Sequence, residues 1–400
     1  MSNVSSSNGL EKYPKFRFKG FTPDWKLVRI GDVYAERSER GADNMELLSV
    51  TMTEGVKKRN EIEGKDNSSE DKSNYKIVYS GDMVYNSMRM WQGASGISPY
   101  DGIVSPAYTI LKSRIPLSNN FFASLFKTEK LINEFRKNSQ GMTSDTWNLK
   151  YPQIETIKIH IPSIEEQNKI AAFLEMLDTK IAKQRSLVEH LKKYKRGVIY
   201  ELFVNPNSKF SCEMSFIPMA ELLTEYRNRN TEGLRVCSVA VNKGVVDQIE
   251  HLGRSFAASD TSHYGRVKFG DVVYTKSPTG DFPFGIVKQS KLNEEVAVSP
   301  LYGVYTPESY ATGNLIHAYF EQYQYANNYI CTLAQKGAKN TINITNQRFL
   351  EKGIRFPVKD SDREYFSDMF DMLTEKAYKA EKILLLLMEQ KRTLLAKMFI

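Results

Sequence analysis

The stretch from Ser163 to Phe203 limits the possible folds more than any other part of this chain. After Ile161-Pro162, apolar side chains recur at alternating intervals of four and three, at Ile170, Leu174, Leu177, Ile181, Val188, Leu191, Val198 and Leu202; Gln184 and Lys195 interrupt the series. A repeat averaging about 3.5 residues keeps one narrow seam facing one neighbour, which is the condition for a coiled coil rather than a globular core helix. At about 1.5 Å per residue, the 41 residues of the stretch would reach roughly 60 Å. A seam of that length needs a partner.

The end of the chain supplies one. Between Ser361 and Ile400 the same intervals return at Phe366, Phe370, Leu373, Ala377, Ala380, Leu384, Leu387, Lys391, Leu394 and Met398. A shift of 196 positions places the first series on the second, Lys195-Arg196 on Lys391-Arg392, and Phe203 on Phe399. Two unrelated surface helices would have no reason to share an interruption.

Composition excludes several classes. The first ten residues, MSNVSSSNGL, lack the basic and apolar succession of a secretory signal, and the aliphatic run Ile383–Met388 is far short of a membrane span. Three cysteines (Cys212, Cys237, Cys331) cannot all pair and show no metal-type spacing, which points to a reducing cytoplasm. A net charge of +8 favours a polyanionic partner. Four hundred residues suffice for two or three domains, each with its own core.

Ahead of the first stripe, strands and helices interleave. Glu11 to Val33 suggests an extended arm leading into a short strand or helix at Trp25 to Val33. Leu47-Leu48-Ser49-Val50 is a strand candidate followed by a turn at Thr53-Glu54-Gly55, and charged, serine-rich Glu61 to Asn74 is a loop. YKIVYSGDMVY (Tyr75 to Tyr85) gives two short strands hinged at Gly81-Asp82, and NSMRMWQGASG (Asn86 to Gly96) a loop. IVSPAYTIL (Ile103 to Leu111) reads as a strand, and Phe121 to Lys137 has helical spacing before the glycine loop NSQGMTS.

The second half repeats this order. YGRVKFGDVVY (Tyr264 to Tyr274) aligns on YKIVYSGDMVY without gaps, Ser299-Pro300 and Tyr302 answer Ser105-Pro106 and Tyr108, and QKGAKNT answers the earlier glycine loop. A unit of about 195 residues, a mixed domain followed by a rod, therefore occurs twice. The fold expected is α+β (mixed α/β), with similar mixed domains at 1–160 and 206–357, each followed by a long helix, at 161–205 and 358–400.

The shared Gly81-Asp82 and Gly270-Asp271 suit a turn, where glycine takes a positive backbone angle and aspartate bonds the turn amides. The loops that follow share the frame but not the residues. One offers Asn86, Ser87, Arg89, Trp91 and Gln92, the other Thr275, Lys276, Ser277 and Thr279. Such side chains read base edges in a groove, and a fixed frame with divergent polar loops suits two readers of two sequences. Lys57-Lys58-Arg59, Lys336 and Lys339 could neutralise phosphates. Gly141 and, in the second loop, Gly337 would let backbone approach a phosphate closely, with Gln140 and Thr143 as candidate contacts beside Gly141.

No G-x-G-x-x-G opens a helix after a strand, no P-loop occurs, no Asn-Pro-Pro-aromatic tetrapeptide is present, and the five histidines lack ligand spacing. Taken together, IPSIEEQNKIAAFL (Ile161 to Leu174), the GDMVY and GDVVY turns, the VSPAY and VSPLY strands, KFRFKGF with Trp25, and the KR...F helix endings resemble the specificity subunit of type I restriction-modification enzymes. The distal copy departs from the pattern: FPVKDSDREYF replaces the Glu-Gln signature, which puts in question any partner contact requiring Gln167 in both copies.

The resemblance implies two target-recognition domains reading the halves of a bipartite site in double-stranded DNA, with the helices paired antiparallel as the spacer. It implies two modification subunits carrying S-adenosylmethionine, restriction subunits carrying ATP and Mg, and no catalysis, metal or cofactor in this chain. Rival readings are a nuclease or methyltransferase acting alone, and a coiled-coil scaffold without nucleic acid.

Overall fold

The computed structural model describes residues 2–3, 13–41, 45–52, 54–66, 68–143, 146–336 and 342–400. The chain divides into two compact units, one comprising 1–185 with 382–400 and the other 186–381. Each boundary falls inside a long helix. The central helix runs Ile164–Phe203 and the distal helix Asp360–Met398.

In the first unit the central helix pairs antiparallel with the end of the distal helix. Ile170, Ala171 and Leu174 share a core with Met398 and Phe399, while Asp178 pairs with Lys391. In the second unit Val198, Leu202 and Phe203 share a core with Phe366, Phe370 and Leu373, and Lys192 reaches Glu381 at 3.2 Å. All the seam positions, Leu177, Ile181, Val188, Leu191, Leu384, Leu387 and Leu394 among them, are buried or half-buried. The neighbouring Met176, Leu187, Tyr378 and Leu385 are exposed. The four-and-three spacing thus picks out the covered stripe residue by residue, as a seam period demands.

Each helix ends as a plug. Phe399 meets Trp25 at 6.4 Å and Phe121 at 5.2 Å between ring centroids, and Phe203 packs on Tyr319 and Phe356. Aromatic rings bury large areas and favour such edge contacts, so the shared terminal phenylalanine ties helix to domain.

The domains follow one plan. In the first, an antiparallel sheet orders Tyr34–Arg37, Tyr108–Ser113, Met83–Asn86 and Ser95–Ile97. In the second, Leu223–Glu225, Gly303–Pro307, Val272–Tyr274 and Val287–Gln289 take the same order. A further sheet in the second domain joins Gly244–Asp247, Val236–Ala240, Val296–Val298 and Gly265–Val267. Its first-domain counterparts form two ladders, Leu48–Thr51 with Gly55–Lys58 and Lys76–Val78 with Gly102–Val104.

Several local expectations change. YKIVYSGDMVY is not a hairpin: Lys76–Val78 and Met83–Asn86 lie in different sheets, and Gly81 (φ +92°) turns the chain between them. Asp82 accepts from the Tyr79 amide at 2.9 Å and from Arg37, and Asp271 accepts from the Lys268 amide at 2.8 Å, so both aspartates serve the turn. The stretch read as loop 86–96 ends in a buried edge strand, Ser95–Ile97. IVSPAYTIL is two strands split at the Ser-Pro turn. The helical stretch breaks at Thr128, whose hydroxyl caps Glu129–Asn138.

The Glu-Gln signature holds domain to helix. Glu166, almost fully buried, takes two bonds from Arg17 (Nε 2.8 Å, Nη2 2.7 Å). Gln167 accepts from the Ser118 amide and donates to the Pro162 carbonyl, both at 3.0 Å. At the distal helix the task falls to Arg363, which donates to the Pro357 carbonyl at 2.9 Å and to Glu308 at 3.1 Å. The signature is lost but its mechanical role persists, because a buried polar anchor needs only complementary partners. No helix among the described residues is long and apolar enough to cross a membrane.

Candidate nucleic-acid interface

In the first domain, two loops after the sheet come together. The Leu149 amide donates to the Ser87 carbonyl at 2.9 Å, fastening the glycine loop to the loop that follows Met83–Asn86. A short helical turn, Met90–Gln92, closes on Gly93 in a left-handed conformation (φ +84°). Gln140 and Asn148 exchange backbone bonds, so the glycine loop projects as a finger. Gly141 (φ +146°) has no room for a side chain, since a Cβ would lie 2.6 Å from the Thr146 carbonyl oxygen.

Trp91 meets Trp147 edge-on at 5.2 Å, with its indole N–H donating to the Met88 carbonyl. Both rings are half-buried, beside exposed Arg89 and Gln92; Gln140 and Thr143 are exposed on the finger, and Met142 is wholly exposed. Asn86 spends its side-chain oxygen on the Met88 amide. Ser87 is a correction: it is buried, its hydroxyl 2.8 Å from that of Thr109, and presents nothing to a base. Trp147 and Met142 were not singled out from sequence. The available signal was that Trp147, one of three tryptophans, adjoins the glycine loop.

In the second domain the corresponding loop doubles back. Thr275, like Ser87, is buried and accepts from the Ile286 amide at 3.0 Å, so it too is structural. Lys276 is the one non-glycine residue among those described with positive φ (+57°). Gly285 permits this turn, because a Cβ there would sit 2.8 Å from the Lys276 nitrogen. A lysine held left-handed costs of order 1–3 kcal/mol, and such strain collects at functional loops. Burial lowers its pKa. Ser277 is exposed and Thr279 half-buried beside it. A short antiparallel ladder pairs Gln335–Lys336 with Ile342–Asn343; Gly337 and Lys339 lie outside the described residues.

The basic triplet is less available than its sequence suggests. Arg59 donates to the carbonyls of Ile62, Gly64 and Lys65, stapling its own loop. Lys57 pairs with Glu54 at 2.6 Å and Lys58 with Glu46 at 3.6 Å. These surface pairs are weak, so both lysines can exchange a carboxylate for a phosphate. Among the described residues no group of three His, Cys, Asp or Glu is placed to hold a metal ion.

Residues 23–192 match the model of the type I restriction modification DNA specificity domain. No curated protein sequence matches the chain. Among solved structures, the S subunit of a type I restriction-modification system from M. genitalium is 13% identical, with a TM-score of 0.62 over 97% of this chain and 99% of that one. A chain from a structure described as the basis of complex assembly and conformational transition of the type I R-M system is 16% identical, with a TM-score of 0.52 over 95% and 98%. Residues 23–192 thus match a type I restriction modification DNA specificity domain, the same sheet order recurs in the second half, and the whole chain shares the fold of the solved S subunit.

Proposed function

We propose that this chain is the non-catalytic address of a cytoplasmic type I complex. Each domain, 1–160 and 206–357, reads one half of a bipartite site in double-stranded DNA, and the paired helices set the gap. The observation that carries this is one structural frame used twice with different side chains at its loops: exposed Arg89 and Gln92 beside half-buried Trp91 on the first, half-buried Lys276 beside exposed Ser277 on the second. Sequence is read by side chains on base edges, so divergent loops on a common frame give two different half-sites. Exposed Leu187, Tyr194, Tyr378 and Leu385, outside the seam, offer apolar surface to two modification subunits. Those subunits would bring S-adenosylmethionine and flip the adenine, and restriction subunits would bring ATP, Mg and cleavage. Selection of bound duplexes from a random pool by the chain with its modification subunits tests this. Two short fixed blocks separated by an unread gap are expected, with affinity that falls steeply with salt. A single contiguous block, or salt-independent binding, refutes it.

A further inference from the structure

The two repeats differ where the edge strand of the main sheet faces the neighbouring hairpin. In the first domain this contact is backbone on backbone: a Cβ at Gly96 would lie 2.7 Å from the Cα of Gly55. In the second domain Lys288 occupies the position of Gly96, and Gly244 that of Gly55. There a Cβ at Gly244 would lie 4.0 Å from the Gln289 carbonyl oxygen, and beside it is a cavity of about 160 Å³ lined by Lys195, Lys243, Lys288, Lys291, His317 and Glu321. One water needs only about 10–15 Å³, so the space admits a group several times larger.

The charge balance of this cavity is unusual. Four lysines face two carboxylates, Glu321 and Asp371. Lys195 pairs with Glu321 at 2.6 Å, and Lys291 with Asp371 at 3.2 Å. Burial, then the charge of Lys288, lowers the pKa of His317 well below its ordinary value, so the imidazole adds no charge at neutral pH. Burial acts to raise the Glu321 pKa, but the net direction is down, with the charges of Lys195 and Lys288 among the causes that lower it. The carboxylate stays ionised, already engaged by Lys195.

Lys288 is left short. It is 5% exposed, its Nζ stands 3.9 Å from Glu321, beyond hydrogen-bond reach, and among the described residues its one hydrogen-bond acceptor is the His317 ring nitrogen at 3.4 Å. An ammonium has three donors, and a buried charge without acceptors is costly. The adjoining groove, about 440 Å³, adds Lys192 and Arg196.

We propose that this cavity is a binding site for a phosphate-class tetrahedral oxyanion, received by Lys288 and Lys243 between the second domain and the long helices. The anion would complete the coordination of Lys288 and offset the surplus positive charge. At the corresponding place in the first domain, the approach of Gly96 to Gly55 leaves no room between the backbones. The occupant is either free phosphate or a phosphodiester of bound DNA, and the chemistry of recognition is the same.

The test is a titration of the full chain with inorganic phosphate at constant ionic strength, read by ³¹P line broadening. Saturable broadening is expected for the wild type, abolished in Lys288→Met and weakened about tenfold or more in Lys243→Ala. It should be unchanged in Lys112→Ala, an exposed lysine of the first domain. Lys243 is exposed, so K243A keeps the test valid if K288M folds poorly. Release of the bound phosphate by duplex DNA would assign the site to the DNA backbone, and retention would assign it to the free anion. Broadening that is absent, non-saturable, or equal in the wild type and K243A would overturn the proposal.

Discussion

Substituting Glu166 by Ala should destabilise the first unit by about 3–5 kcal/mol, the cost of leaving a buried charge without its partner. The estimate rests on geometry. The Arg17 and Glu166 side chains are 6% and 2% exposed and joined by two bonds of 2.8 and 2.7 Å; without the carboxylate, the Pro23 carbonyl at 2.6 Å is the hydrogen-bond acceptor that remains. Replacing both partners with apolar residues removes the stranded charge, so Arg17→Met/Glu166→Leu should recover most of the loss, within about 1–2 kcal/mol of wild type. The assay is urea unfolding followed by tryptophan fluorescence. Trp25, Trp91 and Trp147 all lie in the first unit, so the signal reports that unit alone. A loss under about 1 kcal/mol in Glu166→Ala, or a double variant as unstable as the single one, would refute the anchoring role given to the Glu-Gln signature.

Ile181 is buried in the seam and Leu187 exposed outside it, so Ile181→Asp should lower thermal stability by several degrees while Leu187→Asp changes it little, as measured by circular dichroism. Burial, with a contribution from Lys391, depresses the pKa of Lys127 from 10.5 to about 8. The unfolded chain then binds more protons than the folded one between about pH 8 and 10.5, so stability should rise with pH across that window, while below about pH 8 both states are protonated and this group adds no slope. Lys127→Met should flatten that slope in urea unfolding at stepped pH, and an unchanged slope would place the effect elsewhere. Arg89→Ala and Trp91→Ala should each weaken binding of one half-site by roughly 1–3 kcal/mol in competition assays, leaving the other half-site unaffected. Exchanging residues 206–357 for those of another specificity subunit should likewise change one half-site, and a change in both would contradict modular reading.

The long helices were legible because a period near 3.5 has one physical solution, and the distal copy repeats even its lysine interruption. The repeated frame was legible through Gly81-Asp82 and Gly270-Asp271, whose turns require those residue types. What escaped was set by tertiary neighbours. Ser95–Ile97 contains serine and glycine and reads as loop, yet it is an edge strand because Gly96 fits against Gly55. Ser87 and Thr275 look like ready donors, but their hydroxyls satisfy groups inside the domain. Polarity in sequence does not distinguish a side chain offered to a partner from one engaged at home. Trp147 became a candidate only when folding set it against Trp91. Lys288, unremarked in sequence, acquires its significance from burial beside His317 and Glu321.

The central claim is that two dissimilar readers on one frame are held at a set distance by paired helices. Methylome sequencing of a host expressing this chain with its modification subunits measures that most directly. The account predicts adenine methylation within a split, asymmetric motif whose two halves are separated by a fixed gap. Methylation at a single unbroken motif, or at two halves with a variable gap, would contradict it.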